Sequence, residues 1–241
     1  MRDGLRLALT TFTIVPLRGG RIDRSTARVA MALAPAVGAL LGVVLGGVAL
    51  GLRALHAPGP VLGGVVVAVG ALLTRGLHLD GLADTVDGLG SYAGRERALA
   101  VMRSPEVGPF GVVALVLVVL VQAGAIPAVP FAGLVAAVAT GRLAATAGCL
   151  RGIPAARPDG LGALVAGTVR TPELVIGGLA VAAIAAAAGP VRGPLAVLAG
   201  LAAALLVLGH ARRRLGGITG DVLGALVEVA QTVTLVVLVL G

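Results

Sequence analysis

Residues Val29–Leu52 read VAMALAPAVGALLGVVLGGVALGL, 24 positions without a charged side chain. A helix that crosses a hydrocarbon core needs about 20 apolar residues, so this stretch predicts a membrane span. Working outward, Val61–Thr74 is a shorter apolar run that continues into Arg75. Val107–Gly141 carries no charge over 35 residues, too many for one span. Pro127 and Pro130 divide it, because proline lacks the amide that a helix interior needs. The halves are Val107–Ile126 and Phe131–Gly148. Leu174–Val191 and Gly193–His210 are 18 residues each, parted by Gly189-Pro190 and Gly193-Pro194. Val222–Gly241 is interrupted only by Glu228. The expectation is an all-α, polytopic membrane helix bundle of about seven spans, one membrane-embedded domain over residues 1–241.

Composition agrees. The chain is 58% hydrophobic and 12% charged, with a mean hydropathy of +1.05. Soluble domains are about one quarter charged, and disordered chains are poor in apolar residues. Long uninterrupted apolar runs do not fit the short alternating segments of a β-barrel. Aromatics make up 2% and Trp is absent, which argues against stacking on nucleic acid. The lone cysteine, Cys149, excludes an intrachain disulfide.

The net charge of +8 comes from 19 basic residues, all arginine. With seven spans, 16 of them fall on one side of the membrane, while Arg53 and Arg192 fall on the other and Arg142 lies within a span. Basic residues stay in the cytoplasm, so the amino terminus and the arginine-rich loops are expected there. Leu5–Leu17 is about as long as a signal-peptide core. Arg18-Gly-Gly-Arg21 follows it instead of a cleavage site, so a short interfacial helix is expected. Asp80, Asp84, Asp87, Asp159 and Asp221 fall on the arginine-rich side too. The charge rule does not require that, and it points to a site on the cytoplasmic face.

The densest polar segment is Arg75-GLHLDGLADTVD-Gly88. At ~100° per helical residue, Asp80, Asp84 and Asp87 lie at about 0°, 40° and −20° on one stripe. Alone they would repel one another and raise one another's pKa. A solvated acidic face would not be flanked by Gly, Leu, Ala and Val. Oxygen donors with few companions suit Mg²⁺, which shares its coordination with water and phosphate. His78 points elsewhere on the helix, as a supporting or substrate contact. The second segment, Arg212-RRLGGITG-Asp221, is a glycine-rich turn opening a helix. Amides at such an end attract phosphate, which makes Gly217, Thr219 and Gly220 candidate substrate contacts. Asp221 projects beside them as a further metal ligand. Arg103, with Gly108 in the turn that follows it, and Arg142 and Arg151 could clamp phosphate or simply set orientation. Glu228 lies two turns deeper than Asp221, where a carboxylate needs a partner; Arg142 is the candidate.

Gly76–Gly88 resembles the Gly-Leu-His-x-Asp-Gly-Leu-Ala-Asp-x-x-Asp-Gly hallmark of the cobalamin synthase family, the adenosylcobinamide-GDP ribazoletransferases. Val101-Met-Arg103 through Gly108-Pro-Phe-Gly111 is similar to the family's second motif, and Gly216–Ala225 to its C-terminal one. Leu9–Pro16 and Ala34–Gly38 also look like the family, so the resemblance spans nearly the whole chain. Leu79, Ser104 and Glu106 depart from residues common in relatives. The resemblance implies a multi-pass enzyme of the bacterial inner membrane with its site facing the cytoplasm. Its substrates would be adenosylcobinamide-GDP and α-ribazole, or α-ribazole 5′-phosphate, giving adenosylcobalamin, or its 5′-phosphate, and GMP. It implies Mg²⁺ on Asp80, Asp84, Asp87 and Asp221, phosphate contacts from Arg75, Arg103, Arg142 or Arg151, and proton removal by one of the aspartates or His78. A homo-oligomer, or association with other cobamide-pathway enzymes, stays open.

Two other readings fit less well. A CDP-alcohol phosphotransferase would carry Arg after Ala83, where Asp84 stands. A transporter would set its acids near the bilayer midplane, whereas only Glu228 is that deep.

Overall fold

The computed structural model describes residues 1–17 and 20–240, and in them the chain is helical. Arg18, included in the charge count above, and Gly241, the end of the last expected span, lie outside the described residues. The helices are α1 (Arg2–Phe12), α2 (Arg24–Ala54), α3 (Gly59–Leu73), α4 (Leu77–Gly90), α5 (Arg95–Val101), α6 (Pro109–Ala125), α7 (Phe131–Gly148), α8 (Gly160–Val165), α9 (Thr171–Ala186), α10 (Arg192–Leu215) and α11 (Gly220–Val239). A 3₁₀ turn, Ile126–Ala128, joins α6 to α7.

All seven apolar runs become helices, but the expected count of seven spans is not met by length. Five of them, α2, α6, α7, α10 and α11, are long and apolar enough to cross a membrane. The sixth is α3, and only together with α4, which is bent from it by 92°. α9 is 16 residues long and falls short. The reason is local. Arg75 and Gly76 both adopt left-handed backbone angles (φ 58° and 67°) and end α3 at an elbow. The turn preceding Gly189-Pro190 ends α9 before the apolar run is exhausted.

Proline and polar caps start the helices where the pattern places them. Asp23 accepts the Thr26 amide (2.9 Å) at the start of α2, and Thr219 accepts the Val222 amide (3.1 Å) at the start of α11. Pro109 and Pro172 stand in the first turns of α6 and α9, where no amide partner is lost. α1 buries Gly4, Ala8 and Phe12 along one stripe against α2.

α7 is the central pillar, buried continuously from Gly133 to Gly148 and packed against α2, α9, α10 and α11. Its Ala- and Gly-rich sequence explains this, since small residues let membrane helices approach closely. A Cβ on Gly42 of α2 would meet the Val135 Cα of α7 at 2.7 Å. By contrast α6 exposes Val112, Val113, Val116, Leu117 and Leu120, as a lipid-facing helix should.

Neighbouring apolar helices run in alternate directions. Gly46 packs on Phe131 and Gly59 on Pro127 at one end, while Gly148 packs on Leu223 near the other. Arg53 stands at the first end and donates to the carbonyls of Pro127 and Val129 (3.1 and 2.9 Å). α4 turns away from α3 at the second end and lies over the first turns of α11 and α6.

Candidate active site

The acids expected on one stripe do lie on one helix, α4, but they face different neighbours. Asp80 opens onto a cavity of about 390 Å³ between α4, α11 and the loop around α8. Asp221, from the first turn of α11, lines the same cavity. The two come together because α4 and α11 touch backbone to backbone. A Cβ on Gly81 would lie 2.7 Å from the Asp221 carbonyl oxygen and 3.0 Å from its Cα. Gly224 answers from α11, where a Cβ would lie 3.1 Å from the His78 carbonyl oxygen.

Asp87 is turned to α6. It is buried, and its two oxygens accept the amides of Gly108 (2.8 Å) and Gly111 (2.9 Å). Gly108 is the N-cap residue of α6 and has no side chain to cap with, so Asp87 caps the helix from a distance. Gly108 and Gly111 leave the room that this carboxylate fills. Truncating Asp87 to Ala leaves both amides without acceptors. The expected cost is about 2 to 3 kcal/mol, read as a lower unfolding temperature in detergent. Asp87→Asn, which keeps one acceptor oxygen, should recover part of it; an unchanged melt for Asp87→Ala would refute the cap.

Asp84 lies between these groups. Burial, then the charges of Asp80, Asp221 and Asp87, push its carboxyl up to about 6, with Arg157 pulling the other way. Among the described residues, no three His, Cys, Asp or Glu side chains converge closely enough to ligate one ion.

Guanidinium groups face the acids. Arg157 stands 3.9 Å from Asp221, donates to the Leu99 carbonyl (3.1 Å), and leaves its buried Nε without a partner. Arg103 lines the same cavity and forks onto both oxygens of Asp159 (2.6 and 2.8 Å). Thr219 and Gly220 line it too, and Thr219 donates to Asp221 (3.1 Å).

The other candidates sit elsewhere. Arg75 donates to the Thr10 carbonyl of α1 (2.9 Å) and secures the α3–α4 elbow. Arg151 is exposed in the loop after α7, and Gly217 is packed under Pro154 and Ala155. Arg142 is buried in α7, with Nη1 donating to Gln231 (2.9 Å) and Nη2 3.3 Å from the His78 Nδ1. Among the described residues it forms no direct ion pair with Glu228. The two are linked by hydrogen bonds from Gln231 to Gln122 (3.1 Å) and from Gln122 to Glu228 (2.8 Å). His78 is buried, lines the cavity and stacks on Phe12 (centroids 5.9 Å apart).

Sequence reasoning left out Phe12 and Met31 as cavity walls, and took the Arg157–Gly162 loop only as a segment on the arginine-rich side whose arginine could clamp phosphate. For Arg157 and Asp159 a signal existed, since Arg-Pro-Asp-Gly is a charged turn on the same side as the acids. Phe12 and Met31 are apolar residues in apolar helices, and nothing local separates them from core.

The family model described as cobalamin-5-phosphate synthase matches residues 4–239. A Frankia casuarinae protein named adenosylcobinamide-GDP ribazoletransferase is 45% identical, over 97% of this chain and 93% of its own. Proteins of the same name from a Nocardioides species and from Brevibacillus brevis are 43% and 30% identical, over 98% and 96% of this chain and 97% and 96% of theirs. No solved structure matches. With the α4 motif, Arg103 and the α11 turn meeting at one cavity, and with a match of this length, the chain belongs to the cobalamin-5-phosphate synthase family.

Proposed function

We propose that the protein is an adenosylcobinamide-GDP ribazoletransferase of the bacterial inner membrane, working on its cytoplasmic face. The carrying observation is the cavity wall, where Asp80 and Asp221 stand opposite Arg103 and Arg157 at one end of an apolar bundle. That wall has the guanidinium donors that diphosphate oxygens require, beside carboxylates suited to a cation. The face follows from the distribution of arginine, since the cavity opens at the end that holds nearly all of it.

In this reading a ribose hydroxyl of α-ribazole attacks the cobinamide-side phosphorus of adenosylcobinamide-GDP. The P–O bond to GMP breaks, GMP leaves, and adenosylcobalamin is formed; α-ribazole 5′-phosphate would give the 5′-phosphate product. Arg103 and Arg157 bind phosphate oxygens as forked donors. The hydroxyl proton passes to the Asp80, Asp84 and Asp221 cluster. Thr219 and the free amides of α11 hold the phosphate against the helix end.

The donor set fits Mg²⁺. It is all oxygen, and crowding of like charge around Asp84 is not relieved by Arg157 alone. Mg²⁺ is held by one or two carboxylates together with substrate phosphates and water, so Asp80 and Asp221 suffice, with Asp84 alongside and Asp87 committed to α6. Bound there, the ion supplies neutralisation of the diphosphate and the departing GMP.

The test is product analysis with purified protein, adenosylcobinamide-GDP and α-ribazole. Adenosylcobalamin and GMP are expected in equal amounts with Mg²⁺ and neither product in EDTA. Full turnover in EDTA would remove the metal from the reading, and no turnover in either condition would remove the reaction.

A further inference from the structure

The cavity has two unlike ends. Its mouth carries the carboxylates and guanidinium groups described above. Its inner part is walled by Phe12, Met31, Ala145, Leu223 and Val227, all nearly inaccessible. One polar side chain stands among them, His78, at 3% exposure.

The state of that imidazole follows from its neighbour. The Arg142 guanidinium has only donors, and its Nη2 is 3.3 Å from Nδ1. Nδ1 therefore accepts, and the ring proton is on Nε2. Arg142 is held in this pose by Gln231 and, through Gln122, by Glu228. Nε2 is buried and, among the described residues, has no partner. A buried N–H without an acceptor is costly, and here it belongs to a side chain lining an apolar cavity.

We propose that the inner cavity is the seat of the small nucleoside substrate, with His78 donating through Nε2 to an acceptor nitrogen of its heteroaromatic ring. This rests on the function proposed above and adds to it which substrate lies where. The whole cavity, mouth included, is about 390 Å³, which accommodates a nucleoside but not a corrin macrocycle, so the corrinoid stays at the mouth. Phe12, stacked on His78, and Met31 supply the apolar grip that a flat ring needs. The buried ring carries the ribose outward, toward the phosphate held at the wall. His78 is thus a binding and orienting donor and not the proton acceptor. Arg142 is a positioning residue that acts through it.

The test pairs a ligand change with a side-chain change. Equilibrium dialysis compares α-ribazole with the α-riboside of the matching indole, in which C–H replaces the acceptor nitrogen. Wild-type protein should bind the indole riboside about tenfold more weakly. His78→Ala should weaken α-ribazole by a similar factor and leave the indole riboside unchanged, while His78→Gln should retain α-ribazole within about threefold. In turnover, His78→Ala should raise the KM for α-ribazole and leave that for adenosylcobinamide-GDP within about twofold. Equal wild-type affinity for the two ribosides would overturn the proposal without any variant. So would a rise in both KM values alike, or a fall in kcat alone. Tight α-ribazole binding without GMP release would sink the proposed reaction instead and leave the nucleoside seat standing.

Discussion

Replacing Asp221 by Asn should lower kcat by about 10³-fold while the protein unfolds at the same temperature or slightly higher. Asn keeps the size of the side chain and its bond from Thr219. It removes one of the carboxylates facing the cavity and one of the charges that crowd Asp84. The folded state therefore loses repulsion, and the reaction loses a group that acts on the diphosphate. Asp80→Asn should behave alike. The double variant should be little worse than either single one, because groups acting as a unit are not additive. Measured kcat within about tenfold of wild type for Asp221→Asn would show that α11 contributes no charge to the chemistry.

Gly81→Ala is expected to cost at least about 100-fold in activity and about 1 to 3 kcal/mol in stability. The added methyl would meet backbone, the Asp221 carbonyl oxygen and Cα, and backbone cannot turn aside as a side chain can. α4 and α11 must separate, and Asp80 and Asp221 separate with them. The matching control is Gly64→Ala in α3, where a Cβ meets nothing within 4 Å. There the change should stabilise the helix by up to about 1 kcal/mol and leave turnover alone. Equal behaviour of the two variants in thermal melts and product assays would refute the close α4–α11 contact.

Much of this fold was legible along the chain. Uncharged runs such as Val29–Leu52 become helices because a membrane offers unpaired backbone groups no partner, and proline and glycine mark their ends. What local reading overestimated was span length. α9 stops short of Gly189-Pro190 although apolar composition continues, and α3, whose apolar run ends at Thr74, is too short to span by itself before the Arg75–Gly76 elbow. Composition measures apolarity, whereas the turn determines where a helix ends.

For the site, helical periodicity was enough to place Asp80, Asp84 and Asp87 on one helix of α4, because 100° per residue is a property of the backbone alone. It could not say what each acid meets. That Asp87 caps α6, that Asp80 is joined by Asp221 from the far end of the chain, and that Arg142 reaches His78 are products of packing. Such partners come from different helices, brought close by glycines whose missing side chains set the distance. A one-dimensional pattern carries the spacing within a helix; the contacts between helices arise only when the chain is folded.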